Sequence, residues 1–503
     1  MDISKPLEYD YKTKPFDHQR ETLEAIWHRE GFAVFWEMGC GKSKLVLDNA
    51  ATLYTAGEID CIFVVAPNGV HRNWVVEEIG KHLPDAVMAD VKAFAYHSSK
   101  ATTKRHLQAT KDILTHEGLA IVAMSYDAFM TNAGKPFAKK VLTKRSCFYI
   151  LDESAFIKSP STKRTKSLIA SGKYAKYKRI LTGTPVSNKP FDIYTQMRFL
   201  DPDYWKSRGL GNFTVFKNYF AVWMEQKLQS GRSFPMLVSY KNLEELHDMI
   251  KDDSSRVLKA DVLDLPPKLY SKRFFDMSPR QAKLYSELRD NFMADLDGGS
   301  VSADLAITRM LRLQQITSGF VAIEEKRIPD LENPDYIEYV NKVVDIEDGK
   351  NLRLKLLEEI IETLEGKAII WARFTREIDM IMALLGDRAV RYDGQVKTDA
   401  RAAAIKSFQH DEDGAQFFVA NAAAGGTGLT LTKATTTIYY SNNFKLSERL
   451  QSEDRNHRIG TVNPVNYIDL ICNDTIDLHI VNALIEKLDV SRIVMGDEIR
   501  EWL

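Results

Sequence analysis

The residues Glu37-Met38-Gly39-Cys40-Gly41-Lys42-Ser43 have the types and spacing of a phosphate-binding turn. An apolar run from Phe32 to Trp36 precedes them and reads as a buried strand, and Lys44 to Asp48 opens a helical pattern behind them. A turn between strand and helix aims several backbone N–H groups into one concavity at the positive end of a helix, a ready site for an anion. Gly39 and Gly41 leave no Cβ in the path of a phosphate, and Met38 and Cys40 complete the cradle between them. Lys42 supplies a point charge for the terminal phosphates, and the Ser43 hydroxyl is a hard-oxygen ligand for Mg²⁺. The general pattern G-x-x-x-x-G-K-S/T would begin with Gly at the position of Trp36. Taken alone, the stretch also suits a helix-capping turn with a surface Lys.

A second chemical pair is Asp152-Glu153, at the end of the apolar run Cys147 to Leu151. There Asp152 could hold Mg²⁺ and Glu153 could orient and deprotonate an attacking water. The same pair suits a helix N-terminus, where acidic residues are favoured. Upstream, the amide of Gln19 both donates and accepts, so it could read an adenine edge; a surface glutamine is equally compatible.

These residues need elements to position them. Further strand candidates at Cys61 to Pro67, Ala120 to Met124 and Arg179 to Leu181 alternate with helical segments, the pattern of a doubly wound parallel sheet. In such sheets ligands sit at the carboxyl ends of the strands, where the residues above fall. At 503 residues, 44% hydrophobic and 27% charged, the chain has room for two or more domains. No apolar run reaches the roughly 18–20 residues that span a bilayer. Cys40, Cys61, Cys147 and Cys472 form no C-x-x-C pair, so neither a disulfide framework nor a zinc site is indicated. A polar N-terminus is no signal peptide, and a cytoplasmic or nuclear, non-secreted protein is expected. The net charge of −1 means that nucleic-acid binding would need a local basic lane. Clusters at Lys139-Lys140 with Lys144-Arg145, at Lys163-Arg164 with Lys166, and from Lys173 to Arg179 are candidates, each also compatible with a solvated face.

The order of these segments resembles superfamily-two helicases, and within them the Swi/Snf-type ATP-dependent DNA translocases. VVAPNGVHRNWVVEEI (Val64–Ile79), LTGTPVSNKPFDIYTQMRFLDP (Leu181–Pro202) and RVLKADVLDLPPK (Arg256–Lys268) resemble motifs of the first half; FFVANAAAGGTGLTLTKA (Phe417–Ala434) and QSEDRNHRIG (Gln451–Gly460) resemble the fifth and sixth motifs. Such helicases commonly lack the first Gly of the phosphate loop, which accommodates Trp36.

The resemblance implies an α/β fold of two tandem RecA-like parallel-sheet lobes with a helical insertion. Lobe 1 would take residues 1–204, a mostly helical protrusion 205–264, and lobe 2 residues 265–503, with an acidic hairpin or loop near 321–348. The aromatics of the protrusion are read as a small packed core. ATP would lie between the lobes, with Gln19 on adenine, Met38 to Lys42 on phosphates, Ser43 and Asp152 on Mg²⁺, and Glu153 as base. Lobe 2 would bring Gln451 and the arginines Arg455 and Arg458, whose guanidinium groups suit a γ-phosphoryl group gaining charge. Thr182, Gly183 and Thr184 would couple ATP state to motion. Arg72, Ser125, Arg373, Thr427 and Thr430 would contact DNA.

Two departures stand out. The family usually has D-E-A-H where this chain has Asp152-Glu153-Ser154-Ala155, which questions coupling to the Thr182 loop; Thr430 stands where Asn is usual. The expected activity is ATP hydrolysis driving translocation on double-stranded DNA by a monomer, with forked DNA and a replication or repair protein as candidate partners and no membrane. A strand-separating helicase and an ATP-gated protein-binding factor are the alternatives.

Overall fold

The computed structural model describes residues 9–227, 233–297, 303–327, 338–347, 349–411, 413–422 and 429–498. The chain divides into two compact units. The first comprises Met1–Val222, Ser239–Asp264 and Lys487–Ile499; the second comprises Trp223–Val238, Leu265–Glu486 and Arg500–Leu503.

Unit 1 is built on β1 (Gly31–Trp36), β2 (Cys61–Ala66), β3 (Val91–Tyr96), β4 (Leu119–Ser125), β5 (Cys147–Asp152) and β6 (Tyr177–Leu181). After a hairpin of β7 (Ala221–Lys227) and β8 (Ser233–Tyr240), β9 (Ser254–Val257) returns to the same sheet. The order is β3-β4-β2-β5-β6-β1-β9, with every pairing parallel. Strands β2, β4 and β6 are buried along their whole length. That is why β2 and β4 read as apolar runs, since helices cover both faces of such a sheet, whereas β6 is buried with Lys178 and Arg179 in it.

Beyond Leu265, unit 2 holds β10 (Lys268–Phe275), followed by β11 (Phe320–Arg327) and β12 (Glu338–Asp345), an antiparallel pair with Phe320 opposite Asp345. This is the hairpin form of the acidic stretch. Its main sheet adds β13 (Lys367–Trp371), β14 (Ala389–Tyr392), β15 (Phe417–Ala420), β16 (Ala434–Tyr439) and β17 (Val465–Cys472). The order is β10-β17-β16-β13-β15-β14, again all parallel. Two parallel-sheet α/β units are therefore present.

The domain limits differ from the sequence reading in three places. The 205–264 segment is not mostly helical: besides the helices Phe213–Phe220 and Leu243–Ile250 it holds both strands β7 and β8. Its last strand, β9, pairs with β1 and so belongs to the first sheet. The end of the chain, Lys487–Ile499, groups with unit 1 rather than with lobe 2. The aromatic core of the insert is present, with Trp205, Phe216 and Phe220 all 0% exposed.

Two residues counted in the basic clusters are interior. Arg145 donates to the carbonyls of Ile113, His116, Asp60 and Gly118 at 2.8–3.1 Å. Arg179 is 0% exposed and donates to Asn49 Oδ1 and to the carbonyls of Ile26 and Lys178. A guanidinium has five N–H donors in a fixed fork, and a ring of carbonyls satisfies it inside the protein. Neither is available to a nucleic acid. Among the described residues, no helix is long and apolar enough to cross a membrane, and no group of three His, Cys, Asp or Glu could hold a metal ion.

Candidate nucleotide site and its neighbours

The phosphate-loop stretch joins β1 to the helix Lys42–Thr55. Gly39 and Gly41 stand at φ +84° and +83°, where an L side chain is strained. A Cβ at Gly41 would also overlap the Gln19 amide nitrogen. Gln19 is 2% exposed; its Oε1 accepts from the Phe16 N–H at 2.9 Å and its Nε2 donates to the Gly41 carbonyl at 3.3 Å. One N–H and one oxygen lone pair remain for a ligand. Lys42 Nζ donates to the carbonyls of Trp36 (2.8 Å) and Glu37 (3.1 Å), so it is held across the mouth of the turn.

Asp152 ends β5 and Glu153 follows it in the left-handed region, at φ +53°. A non-glycine residue there is uncommon and marks a backbone held in place by its surroundings. The Asp152 carboxylate accepts from the Trp74 indole N–H at 2.9 Å, and its carbonyl accepts from the Tyr126 hydroxyl at 2.9 Å. Burial pushes the Asp152 carboxyl up, against the Trp74 hydrogen bond and the Lys42 charge, which favour its ionised form. Glu153 Oε2 accepts from the Thr182 hydroxyl at 3.0 Å, and the same hydroxyl accepts from the Thr184 N–H at 3.2 Å. The loop lies against the start of the phosphate-loop stretch: a Cβ at Gly183 would sit 3.4 Å, ordinary contact distance, from Met38 N and Trp36 O.

The donor chemistry fits a magnesium nucleotide. Ser43 and Asp152 offer hard oxygens, Lys42 a cation, and the two left-handed glycines a cradle that side chains would fill.

The remaining predicted residues fall in two places. In unit 1, Arg72 is exposed, whereas Ser125 is 4% exposed and its hydroxyl accepts from the Ala128 N–H at 3.0 Å. Ser125 thus caps a short turn of helix and offers nothing to a DNA strand. In unit 2, Gln451 lies in the helix Leu446–Glu453, and Arg455 and Arg458 follow just beyond its end. Arg455 is 5% exposed; Arg455 and Arg458 reach the Leu429 carbonyl at 3.5 and 3.3 Å, both beyond a strong hydrogen bond's usual range. Burial lowers the Arg458 pKa. Gln451 is half-buried and Thr430 exposed. Arg373 is half-buried at the end of β13; its N–H donates to Glu377 and its carbonyl accepts from Asn421. Thr427 lies outside the described residues.

The sequence reading named no role for Trp74 or Tyr126, though both approach the Asp152-Glu153 turn. The Asn73-Trp74 pair was a visible signal, since a buried indole needs an acceptor for its one N–H.

Residues 18–319 match the sequence profile of the SNF2-related domain, and residues 352–460 that of the helicase conserved C-terminal domain. The chain belongs to the SNF2-related family. Among relatives of this SNF2-related chain, the ATP-dependent DNA helicase DDM1 of Arabidopsis thaliana is 25% identical over 481 residues, covering 92% of this chain and 58% of that protein. The DNA annealing helicase and endonuclease ZRANB3 of Mus musculus is 24% identical, covering 93% of this chain and 39% of its own. The SNF2-related chain thus spans about half the length of these relatives. The solved Sulfolobus solfataricus SWI2/SNF2 ATPase core in complex with dsDNA aligns with 98% of this chain and 100% of its own, at 22% identity and a TM-score of 0.42.

Proposed function

We propose that this SNF2-related chain hydrolyses ATP to translocate along double-stranded DNA without separating the strands, remodelling DNA structures or displacing bound proteins. The observation that supports it best is the hydrogen bond from Thr182 to Glu153, which ties the residue that would activate water to the loop that would move. It offers coupling in a chain that has Ala155 where its relatives usually carry His.

In this reading Gln19 takes the adenine edge, and the backbone from Met38 to Gly41 with Lys42 takes the phosphates. Ser43 and Asp152 hold Mg²⁺, which supplies charge neutralisation on the phosphate oxygens when bound. Glu153 accepts the proton of the attacking water, and its hydrogen bond from Thr182 holds the carboxylate in one orientation. Arg455 and Arg458 supply positive charge to the γ-phosphoryl group, a role worth about 10³–10⁵ in rate where it is met. Arg72, Arg373 and Thr430 contact phosphates of the duplex, so binding carries little sequence preference and falls steeply with salt. The protein would work in the cytoplasm or nucleus as a monomer, on duplex or forked DNA.

Triplex displacement from a duplex without free ends tests the reading, run with ATP beside a forked-duplex unwinding assay. Displacement without unwinding is expected. Unwinding would replace translocation by strand separation; loss of both, with ATPase stimulated by protein instead of duplex, would replace it by an ATP-gated binding factor.

A further inference from the structure

An exposed aromatic ring stands at the carboxyl edge of the first sheet. Phe156 lies just beyond β5, in the single 3₁₀ turn Ser154–Ile157, and is 45% exposed. Its ring stacks on Tyr126, with centroids 5.0 Å apart and planes 7° from parallel. Tyr126 directly follows β4, is 1% exposed, and is anchored by its hydroxyl, which donates to the Asp152 carbonyl at 2.9 Å. The Arg164 guanidinium lies 5.7 Å from the Phe156 centroid and 6.0 Å from the Tyr126 centroid. On the outer face of Phe156 it would stand about 7 Å or more from Tyr126, because each stacked layer adds about 3.5 Å. Arg164 therefore flanks the stack and does not cap it. Asp127 fixes that flank: its two carboxylate oxygens accept from Arg164 at 2.6 Å and from Asn68 at 2.7 Å. Asn68 follows β2, so residues beyond three adjacent strands, β4, β2 and β5, assemble the platform. Ligands of open parallel sheets bind at that edge.

From this arrangement we propose that the Phe156 ring receives an unpaired nucleobase of bound DNA. Single apolar side chains on a surface are ordinary. Phe156 differs because it is held parallel to a buried ring and beside a guanidinium, an arrangement that receives a further flat π-system. Charge supports a nucleic acid as the occupant. Lys163 and Lys166 are exposed on the helix Lys163–Gly172 that carries Arg164, and so face the phosphates on either side of a stacked base. Asp127 is the opposing charge, and its bonds to Arg164 and Asn68 offset it. Every base has a flat face, so stacking on an aromatic side chain demands no particular sequence. An intact duplex hides those faces along its length, so the site selects DNA with a base out of its pair, as at a fork or a bulge. The inference rests on the DNA reading proposed above and names the DNA structure; it requires no strand separation by the protein.

The test uses the full chain and two duplexes with identical ends, one fully paired and one carrying a single extrahelical 2-aminopurine at its centre. Anisotropy gives the Kd for each, and 2-aminopurine fluorescence reports stacking of the unpaired base. Wild type should bind the bulged duplex about tenfold more tightly than the paired one, the scale of one base stacked on an aromatic ring, and should quench the probe. Phe156→Ala should abolish the preference and the quenching while holding the paired duplex within about twofold. Phe156→Leu keeps apolar bulk without a flat face and should behave as the alanine variant; Phe156→Trp keeps the face and should retain both signals. Val215→Ala, at another exposed apolar side chain, should match wild type. Thermal melts verify that each variant is folded. Equal binding of the two duplexes by wild type, a preference that survives Phe156→Leu, or equal weakening of both duplexes by that variant overturns the inference and leaves the DNA reading standing. Wild-type protein that binds neither duplex overturns both.

Discussion

Thr182 donates its hydroxyl proton to the Glu153 carboxylate across 3.0 Å. The two residues directly follow neighbouring strands, β6 and β5. A hydrogen bond to a charged acceptor contributes about 1.5–3 kcal/mol, and here it would orient the group proposed to activate water. Thr182→Val keeps the shape and removes the donor. Its kcat should fall roughly 10- to 100-fold while KM for ATP changes little. Steady-state ATPase assays with duplex DNA check this; a KM effect of the same size with kcat intact would contradict it.

Gly41 should not tolerate a side chain. At φ +83° an alanine carries strain of about 1–2 kcal/mol, and its methyl group would displace the Gln19 amide. Gly41→Ala should therefore weaken ATP binding at least about tenfold, whereas Gly57→Ala, also left-handed but with open space around it, should cost stability alone. Isothermal titration with a non-hydrolysed ATP analogue separates the two.

The acid limb of stability should report Glu453. Burial acts to raise its pKa, but Lys268 and Arg449 outweigh burial and bring the carboxyl down to about 2. Lys268 Nζ and Arg449 Nε each stand 2.9 Å from a Glu453 oxygen. A folded-state value below the unfolded one gives stability that is full above about pH 4.5 and is lost as pH falls towards 2. The gap corresponds to about 3 kcal/mol. Denaturant melts of Glu453→Gln should be lower at neutral pH and flatter than wild type over that window.

Arg353 and Asp477 form a buried ion pair in unit 2, with side chains 1% and 7% exposed. Asp477 also accepts from the Cys472 N–H at 3.2 Å and the Thr317 hydroxyl at 3.2 Å. Removing Asp477 leaves Arg353 with only the more distant Glu377, 3.9 Å away, as counter-charge, so Asp477→Ala should cost about 3 kcal/mol. A double variant with Arg353→Met should recover part of it. Urea unfolding followed by circular dichroism tests both.

Legibility in the sequence followed burial. Strands β1, β2, β4 and β5 announced themselves because a sheet covered on both faces needs continuous apolar residues. At the sheet's edges the signal failed. β3 pairs only with β4 and keeps Lys92 exposed, so Val91–Tyr96 carries no such run. β9 is Ser-Ser-Arg-Val, and nothing in those four residues looks like a strand; pairing with β1 makes it one. The same contrast holds at the site. Lys42, Ser43, Asp152 and Glu153 could be proposed from the sequence because phosphate and metal chemistry would demand particular residue types at strand ends. The Thr182–Glu153 bond was not, since it joins residues 29 apart through a left-handed backbone at Glu153. Ser125 and Arg179 misled because polarity was read as availability, whereas Ser125 caps its own turn and Arg179 is satisfied by Asn49 and backbone carbonyls.

The late return of β9 bears on how the protein is made. The strand that leads into the candidate phosphate loop, β1, is bordered on one side by β6 and on the other by residues 254–257. A ribosome must therefore synthesise the whole insert before β1 acquires its second neighbour. Until then β1 presents an open row of peptide groups, a template for wrong pairing with another nascent chain. Expression of residues 1–204 alone should yield aggregated protein, while extension to residue 264 should restore solubility.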